Sequence, residues 1–177
     1  QDMLSHLIDY LRATLSASRK SSLALRDEIA RVKDYLALMQ IRMGDRLRVE
    51  LDIDGDLSDV TLPAMLVQPL VENAIKHGLD PIPEGGTLRV IVTRAPQDMV
   101  IISVWDDGQG MDAAQATPSG SGFGLSCIKA RLETCYGTQA SLKLKPASQG
   151  RGTIATLRLP VRMPAVPLLA EPTAFDH

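Results

Sequence analysis

Aromatic side chains are scarce in this chain of 177 residues, which holds two Phe, three Tyr and one Trp. So few rings imply an aliphatic core and leave little to build the stacking platforms that grip single-stranded nucleic acid. An excess of positive charge is also missing. The 19 Lys and Arg are outweighed by 21 Asp and Glu, for a formal charge of −2, and the basic residues are dispersed. A general nucleic-acid binder is therefore excluded, although a small local anion site is not. Two cysteines do not make a disulfide framework. Cys127 and Cys135 fall in one expected helix, about 12 Å apart along its axis, beyond the roughly 7 Å that a bridge tolerates. They are expected to be reduced, as in a cytoplasmic protein. No apolar run of about 18 residues and no charged-then-apolar leader occurs, so no membrane segment is expected. The chain starts at Gln1 inside a helical pattern, as a piece of something longer would.

What is present is enough hydrophobic residue, 45%, to fill a real core. Leu4, Leu7, Ile8, Leu11 and Leu15 repeat with helical spacing, and a polar interruption from Ser16 to Ser22 ends that helix. Leu25, Ile29, Val32, Leu36, Met39 and Met43 follow at alternating steps of four and three. This stripe fits an amphipathic helix lying on its own domain or a seam of a dimerising bundle. After Gly44 the period becomes two: Leu47, Val49, Leu51 and Ile53 alternate with charges and end in an Asp54-Gly55 turn. A helix is expected from Leu62 to Gly78, entered through Pro63 and closed by Gly78, with Pro69 bending its first turns or marking its regular start. Strands are expected at 87–94 and 99–105, joined as a hairpin, and at 141–145 and 152–160, with a helix from Leu125 to about Tyr136. Hairpin-connected strands with segregated helices predict an α+β fold, a two-layer sandwich. Residues 1–43 form the helical part, 44–160 the mixed domain, and the proline-bearing 161–177 an expected disordered tail.

Five of the 13 glycines, Gly108, Gly110, Gly120, Gly122 and Gly124, lie between a strand and a helix. Glycines leading into a helix N-terminus suit a phosphate, but a loose surface loop would look the same. Other nucleotide and metal motifs are missing: there is no GxxxxGK[ST], no GxGxxG, no HExxH and no paired CxxC. Asp106 ends an apolar strand, where it could accept a bond from an amino group or cap the Asp107-Gly108 turn. Glu72, Asn73, Lys76 and His77 share a helix whose other face is apolar. Asn73 offers a hard oxygen for Mg²⁺ and Lys76 a point charge for phosphate; a solvated helix face is the plainer alternative. Thr153 follows Gly152 at the start of the last strand.

The order of these pieces is more specific than any one of them. It resembles the ATP-binding fold shared by histidine kinases, DNA gyrase, the Hsp90 chaperone and MutL. Residues 72–78 resemble the N box, 106–110 the first glycine box, 120–125 the second, and Gly152-Thr153 the last. The string Leu66-Val67-Gln68-Pro69-Leu70-Val71-Glu72-Asn73-Ala74-Ile75-Lys76-His77-Gly78, with Asp34-Tyr35-Leu36, Arg42, Arg131-Leu132 and Tyr136-Gly137, is similar to LytS-like bacterial sensor histidine kinases. The resemblance implies that Asn73 binds Mg²⁺, Asp106 receives the adenine amino group, Gly108 and Gly110 make room for the ring, and Thr153 supports it through water. It implies ATP contacts at Lys76, His77, Gly120, Gly122, Phe123, Gly124 and Leu125, under a lid running from about Met111. It also implies a response-regulator partner, a homodimer and a membrane anchor in the full-length protein.

Two departures qualify this. Where the gyrase and Hsp90 branches carry a glutamate one turn before the metal-binding Asn, this chain has Pro69, so fast ATP hydrolysis is disfavoured. Glu72, about 100° around the helix from Asn73, could instead orient an attacking imidazole. The family's acceptor histidine lies in a Pro-His-Phe-Leu-Phe-Asn-like string that is missing here; His6 has other neighbours. The acceptor is expected upstream of Gln1, leaving a catalytic region that does not label itself. The alternatives are a degenerate nucleotide-binding scaffold and a protein-serine kinase of the anti-sigma-factor type.

Overall fold

The computed structural model describes residues 22–110, 122–147 and 151–164, with Gly122 and Phe123 described by backbone alone. The expected first helix, His6, the lid from Met111, Gly120 and the last residues of the tail lie outside the described residues. Among the described residues, seven strands and three main helices follow in chain order. They are β1 (Leu23–Ala24), α1 (Leu25–Met43), β2 (Leu47–Ile53), β3 (Thr61–Leu62), α2 (Gln68–Asn73, continued as a π-helix over Ala74–Leu79), β4 (Gly86–Ala95), β5 (Met99–Asp106), α3 (Gly122–Tyr136), β6 (Ser141–Pro146) and β7 (Thr153–Pro160).

The main sheet has the order β2-β4-β5-β7-β6. Its β2-β4 pair is parallel and its other pairs are antiparallel. A parallel pair needs a crossover, and α2 lies within it. Along β5 every second residue is buried, Val100, Ile102, Val104 and Asp106, which leaves one face for the helices and one for solvent. Buried residues of α1, α2, α3 and the sheet's inner face form a single core. This is the expected two-layer sandwich.

The stripe on α1 is used inside the domain. Leu25, Ile29, Val32, Leu36 and Met43 are buried in that same core, with Met39 packed against it. For these residues the structure supports the reading of a helix lying on its own domain. Past Pro160 the chain remains attached. Val161 is buried, its N–H donates to the Asp98 carbonyl at 2.7 Å and its carbonyl accepts from Thr61 N–H at 2.9 Å. Val161 thus packs with the domain. Cys127 and Cys135 are unpaired. Among the described residues no helix is long and apolar enough to cross a membrane.

The helix expected from Leu62 begins later. Leu62 is in β3, paired with Leu23, and the regular helix starts at Gln68 with Pro69 in its first turn, where its missing N–H costs nothing. Gly78 does not close it: the chain continues to Leu79 in π form, ending with an i to i−5 bond from Asp80 N–H to the Ile75 carbonyl at 2.8 Å.

Candidate nucleotide site

The site residues gather where α2, the end of β5, the start of β7 and the start of α3 meet. Asp106 pairs with Thr153 in the β5-β7 register and is 2% exposed. Its Oδ1 accepts from Gly108 N–H at 3.0 Å. Burial pushes its carboxyl up to about 6, against a downward pull from the backbone N–H groups of Gly108 and Thr153. The turn-capping and ligand-accepting readings of Asp106 are therefore compatible: one oxygen caps the turn, and lone pairs remain for another donor.

Glycine sets the packing around it. A Cβ on Gly78 would lie 2.7 Å from Asp106 Oδ1, and one on Gly108 would lie 2.3 Å from the Gly78 carbonyl oxygen. The N box and the first glycine box thus touch backbone to backbone. Gln109 fastens the contact: its N–H donates to Gly78 O at 3.0 Å and its Nε2 to His77 O at 2.8 Å. At Gly152, where φ is +79°, a Cβ would meet Asp106 O at 1.9 Å. The need for glycine at 78, 108 and 152 is satisfied by protein packing before any ligand is considered.

Asn73 faces the second glycine box. A Cβ on Gly124 would be 3.6 Å from Asn73 Nδ2 and 4.0 Å from Oδ1. Nδ2 is buried without a hydrogen-bond partner. The two ends of an amide are interchangeable by rotation, so a hard oxygen can occupy that orphaned position. No group of three or more His, Cys, Asp or Glu that could hold a metal occurs among the described residues. These residues fit Mg²⁺, which is commonly held by one or two protein oxygens with phosphate and water completing its shell. The start of a 15-residue helix beside Asn73 adds free N–H groups that favour an anion.

The remaining expected residues divide. Lys76 is exposed and His77 half-buried, both on the π-helical segment. Leu125 is partly buried and packs against the core. Gly110 has a φ of +82°. Glu72 is half-buried, and its Oε1 accepts from Gln68 Nε2 at 2.8 Å.

Several supports were not singled out by sequence. Glu28 of α1 is 1% exposed and accepts from Val67 N–H at 2.6 Å and Gln68 N–H at 3.3 Å, capping α2 from another helix. Burial holds its carboxyl above the ordinary range, opposed by those N–H groups. Its signal was a charge three residues after Leu25, on the apolar stripe itself. Asp107 Oδ1 accepts from Thr87 N–H at 2.6 Å and pins the start of β4. Arg46 donates to the carbonyls of Asp80, Ile82 and Pro83, clamping the loop after α2. Arg131 donates to the Ala64 carbonyl, tying α3 to the approach to α2.

With this geometry in place, comparison with known proteins is decisive. The histidine kinase-, DNA gyrase B- and HSP90-like ATPase family matches residues 58–163, and the histidine kinase family matches residues 1–47. The chain belongs to the histidine kinase-, DNA gyrase B- and HSP90-like ATPase family. Sensor histidine kinase/phosphatase LytS of Staphylococcus aureus is 31% identical over 159 residues, 85% of this chain and 27% of the relative. The chain therefore spans about a quarter of the length of the curated relatives it matches. Among solved structures, the histidine kinase domain of the Erythrobacter litoralis EL346 blue-light activated kinase superposes with a TM-score of 0.61 at 18% identity, covering 90% of this chain and 80% of that one. Full-length ShkA in complex with AMPPNP gives a TM-score of 0.58 at 19% identity, covering 94% of this chain and 37% of that one. The histidine kinase fold thus accounts for the mixed sheet, the N-box helix and the helix after the glycine boxes.

Proposed function

We propose that this chain binds Mg²⁺-ATP and donates its γ-phosphoryl group to a histidine outside residues 1–177, from which it passes to a response-regulator aspartate. The observation that carries this reading is the placement of Asn73, with its orphaned amide atom, directly against Gly124 at the start of α3. A metal-binding oxygen and an anion-binding helix terminus there serve the same triphosphate.

Asp106 accepts the adenine amino group with the lone pairs that Gly108 and Thr153 leave, and Thr153 supports the ring through water. Gly110 lets the backbone pass close to it. The stretch that carries Gly120, Gly122, Phe123 and Gly124 contributes ATP contacts, while Lys76 and His77 approach the phosphates from the N box. When bound, Mg²⁺ neutralises charge on the transferring phosphates, and the protein's task is mainly positioning. The acceptor imidazole nitrogen forms a bond to the γ-phosphorus as the bond to the ADP oxygen breaks. Glu72 orients that imidazole and takes up its proton; with Pro69 one turn before Asn73, no carboxylate is placed there to activate water. The full-length protein is a membrane-anchored homodimer to whose dimerisation region residues 1–43 contribute, with this domain on the cytoplasmic side.

The test is to supply labelled ATP, Mg²⁺, this chain and a separate domain carrying the acceptor histidine. Acid-labile phosphate on that domain is expected, and no labelling of this chain alone. ATP binding without transfer would identify a scaffold instead. A Glu72→Gln variant at full transfer rate would remove the role of Glu72.

A further inference from the structure

Gln68 occupies an unusual position for a polar side chain. It is 1% exposed, at the first position of the short helix that carries Glu72 and Asn73. Its backbone N–H is held by the Glu28 carboxylate of α1 at 3.3 Å, beside the shorter bond from Val67. Its side-chain Nε2 reaches one turn along α2 to Glu72 Oε1 at 2.8 Å. Both ends of the residue are therefore fixed, one by a different helix and one by the carboxylate next to Asn73. A free glutamate on a helix surface samples several rotamers, and ordering it at the moment of reaction costs conformational entropy. A donor locked in the core removes that cost beforehand.

We propose that Gln68 is a positioning residue for phosphotransfer. Its amide holds the Glu72 carboxylate in the orientation that receives the acceptor imidazole, and Glu28 holds Gln68 in place. This rests on the role given to Glu72 above. Gln68 touches neither nucleotide nor imidazole, so its loss reaches the rate through Glu72 and leaves nucleotide binding alone.

The test is a double-mutant cycle on the full-length protein, following autophosphorylation at saturating Mg²⁺-ATP. Gln68→Met keeps the buried volume and deletes the donor. It should lower the maximal rate by about tenfold to a hundredfold, the scale of a misplaced catalytic group, with KM for ATP unchanged. Gln68→Asn keeps the amide but draws it back by one methylene, and should lose rate likewise if the Met variant does not fold. In a Glu72→Ala background, Gln68→Met should cause no further loss, because the group it positions is gone. Losses that multiply in the double variant, or a raised KM in Gln68→Met, would assign Gln68 a general structural role and overturn the proposal. Glu72→Ala at the wild-type rate would overturn the Glu72 reading and this proposal together. A slow Glu72→Ala with a wild-type Gln68→Met would overturn this proposal alone.

Discussion

Gly78 and Asp106 stand so close that a single methyl group on the former would lie 2.7 Å from Oδ1 of the latter. They belong to different motifs 28 positions apart in sequence, and their contact joins the helix of the N box to the strand of the first glycine box. Gly108 lies on the same seam, with its missing Cβ directed at the Gly78 carbonyl. The candidate site is therefore held together by the absence of side chains as much as by their presence.

Alanine at these glycines should separate flexible from rigid obstacles. Gly78→Ala meets a carboxylate that can rotate, whereas Gly108→Ala meets backbone at 2.3 Å. Overpacking costs about 1–3 kcal/mol, so urea unfolding should place Gly108→Ala at or above the upper end and Gly78→Ala below it. The Gly78 variant should also bind ATP more weakly, since the carboxylate it displaces is Asp106.

Asn73→Ala should abolish Mg²⁺-dependent ATP binding while leaving the fold intact, because the Nδ2 it removes is already without a partner. Calorimetric titration with ATP, with and without Mg²⁺, checks this. Equal affinity of the variant and wild type in Mg²⁺ would remove the metal assignment.

Asp106 gives a pH signature of known sign. Burial raises its carboxyl from 3.8 to about 6, so the folded state holds this proton more tightly than the unfolded one. The resulting stabilisation is present below the unfolded value and is lost as pH rises through about 6. Thermal unfolding from pH 4 to pH 7 should show that decline in wild type and lose it in Asp106→Asn. ATP binding should run the other way, weakening as the ionised acceptor disappears below pH 6.

Glu28→Ala should destabilise the domain by about 1–3 kcal/mol, the cost of leaving the buried N–H groups of Val67 and Gln68 without an acceptor. Glu28→Gln keeps an oxygen for them and removes a charge that burial already disfavours, so its loss should be much smaller. Denaturant unfolding of the two variants distinguishes capping from charge.

Leu36→Ala should cost about 2–5 kcal/mol, as for other large core truncations, because Leu36 is 2% exposed within this domain. The loss should be the same at low and high protein concentration. A concentration-dependent loss would support the dimer seam instead.

The α1 stripe shows where sequence reading stops. Periodicity established that Leu25, Ile29, Val32, Leu36 and Met43 share one helical face, but period alone carries no information about what covers that face. Only the packing of α1 against α2 and the sheet decided it. Strand positions were legible because alternation of apolar and charged residues is itself the signature of a half-buried strand. The parallel β2-β4 pair was not, since register and direction are set by partners distant in the chain. Pro69 likewise signalled a boundary, and the structure resolved it as the first turn of α2.

For the candidate site, the sequence by itself marked which residues to expect there, because Asn73, Asp106, the glycines and Thr153 occur in a specific order. It could not determine how they are held. Glu28 reaches α2 across 39 positions to Val67, Asp107 reaches β4 across 20 to Thr87, and Arg131 reaches Ala64 across 67. Each supplies a hydrogen bond to a backbone group that burial would otherwise leave unsatisfied. Such partners are chosen by proximity in the folded chain, and that proximity exists only once the sheet and helices have packed.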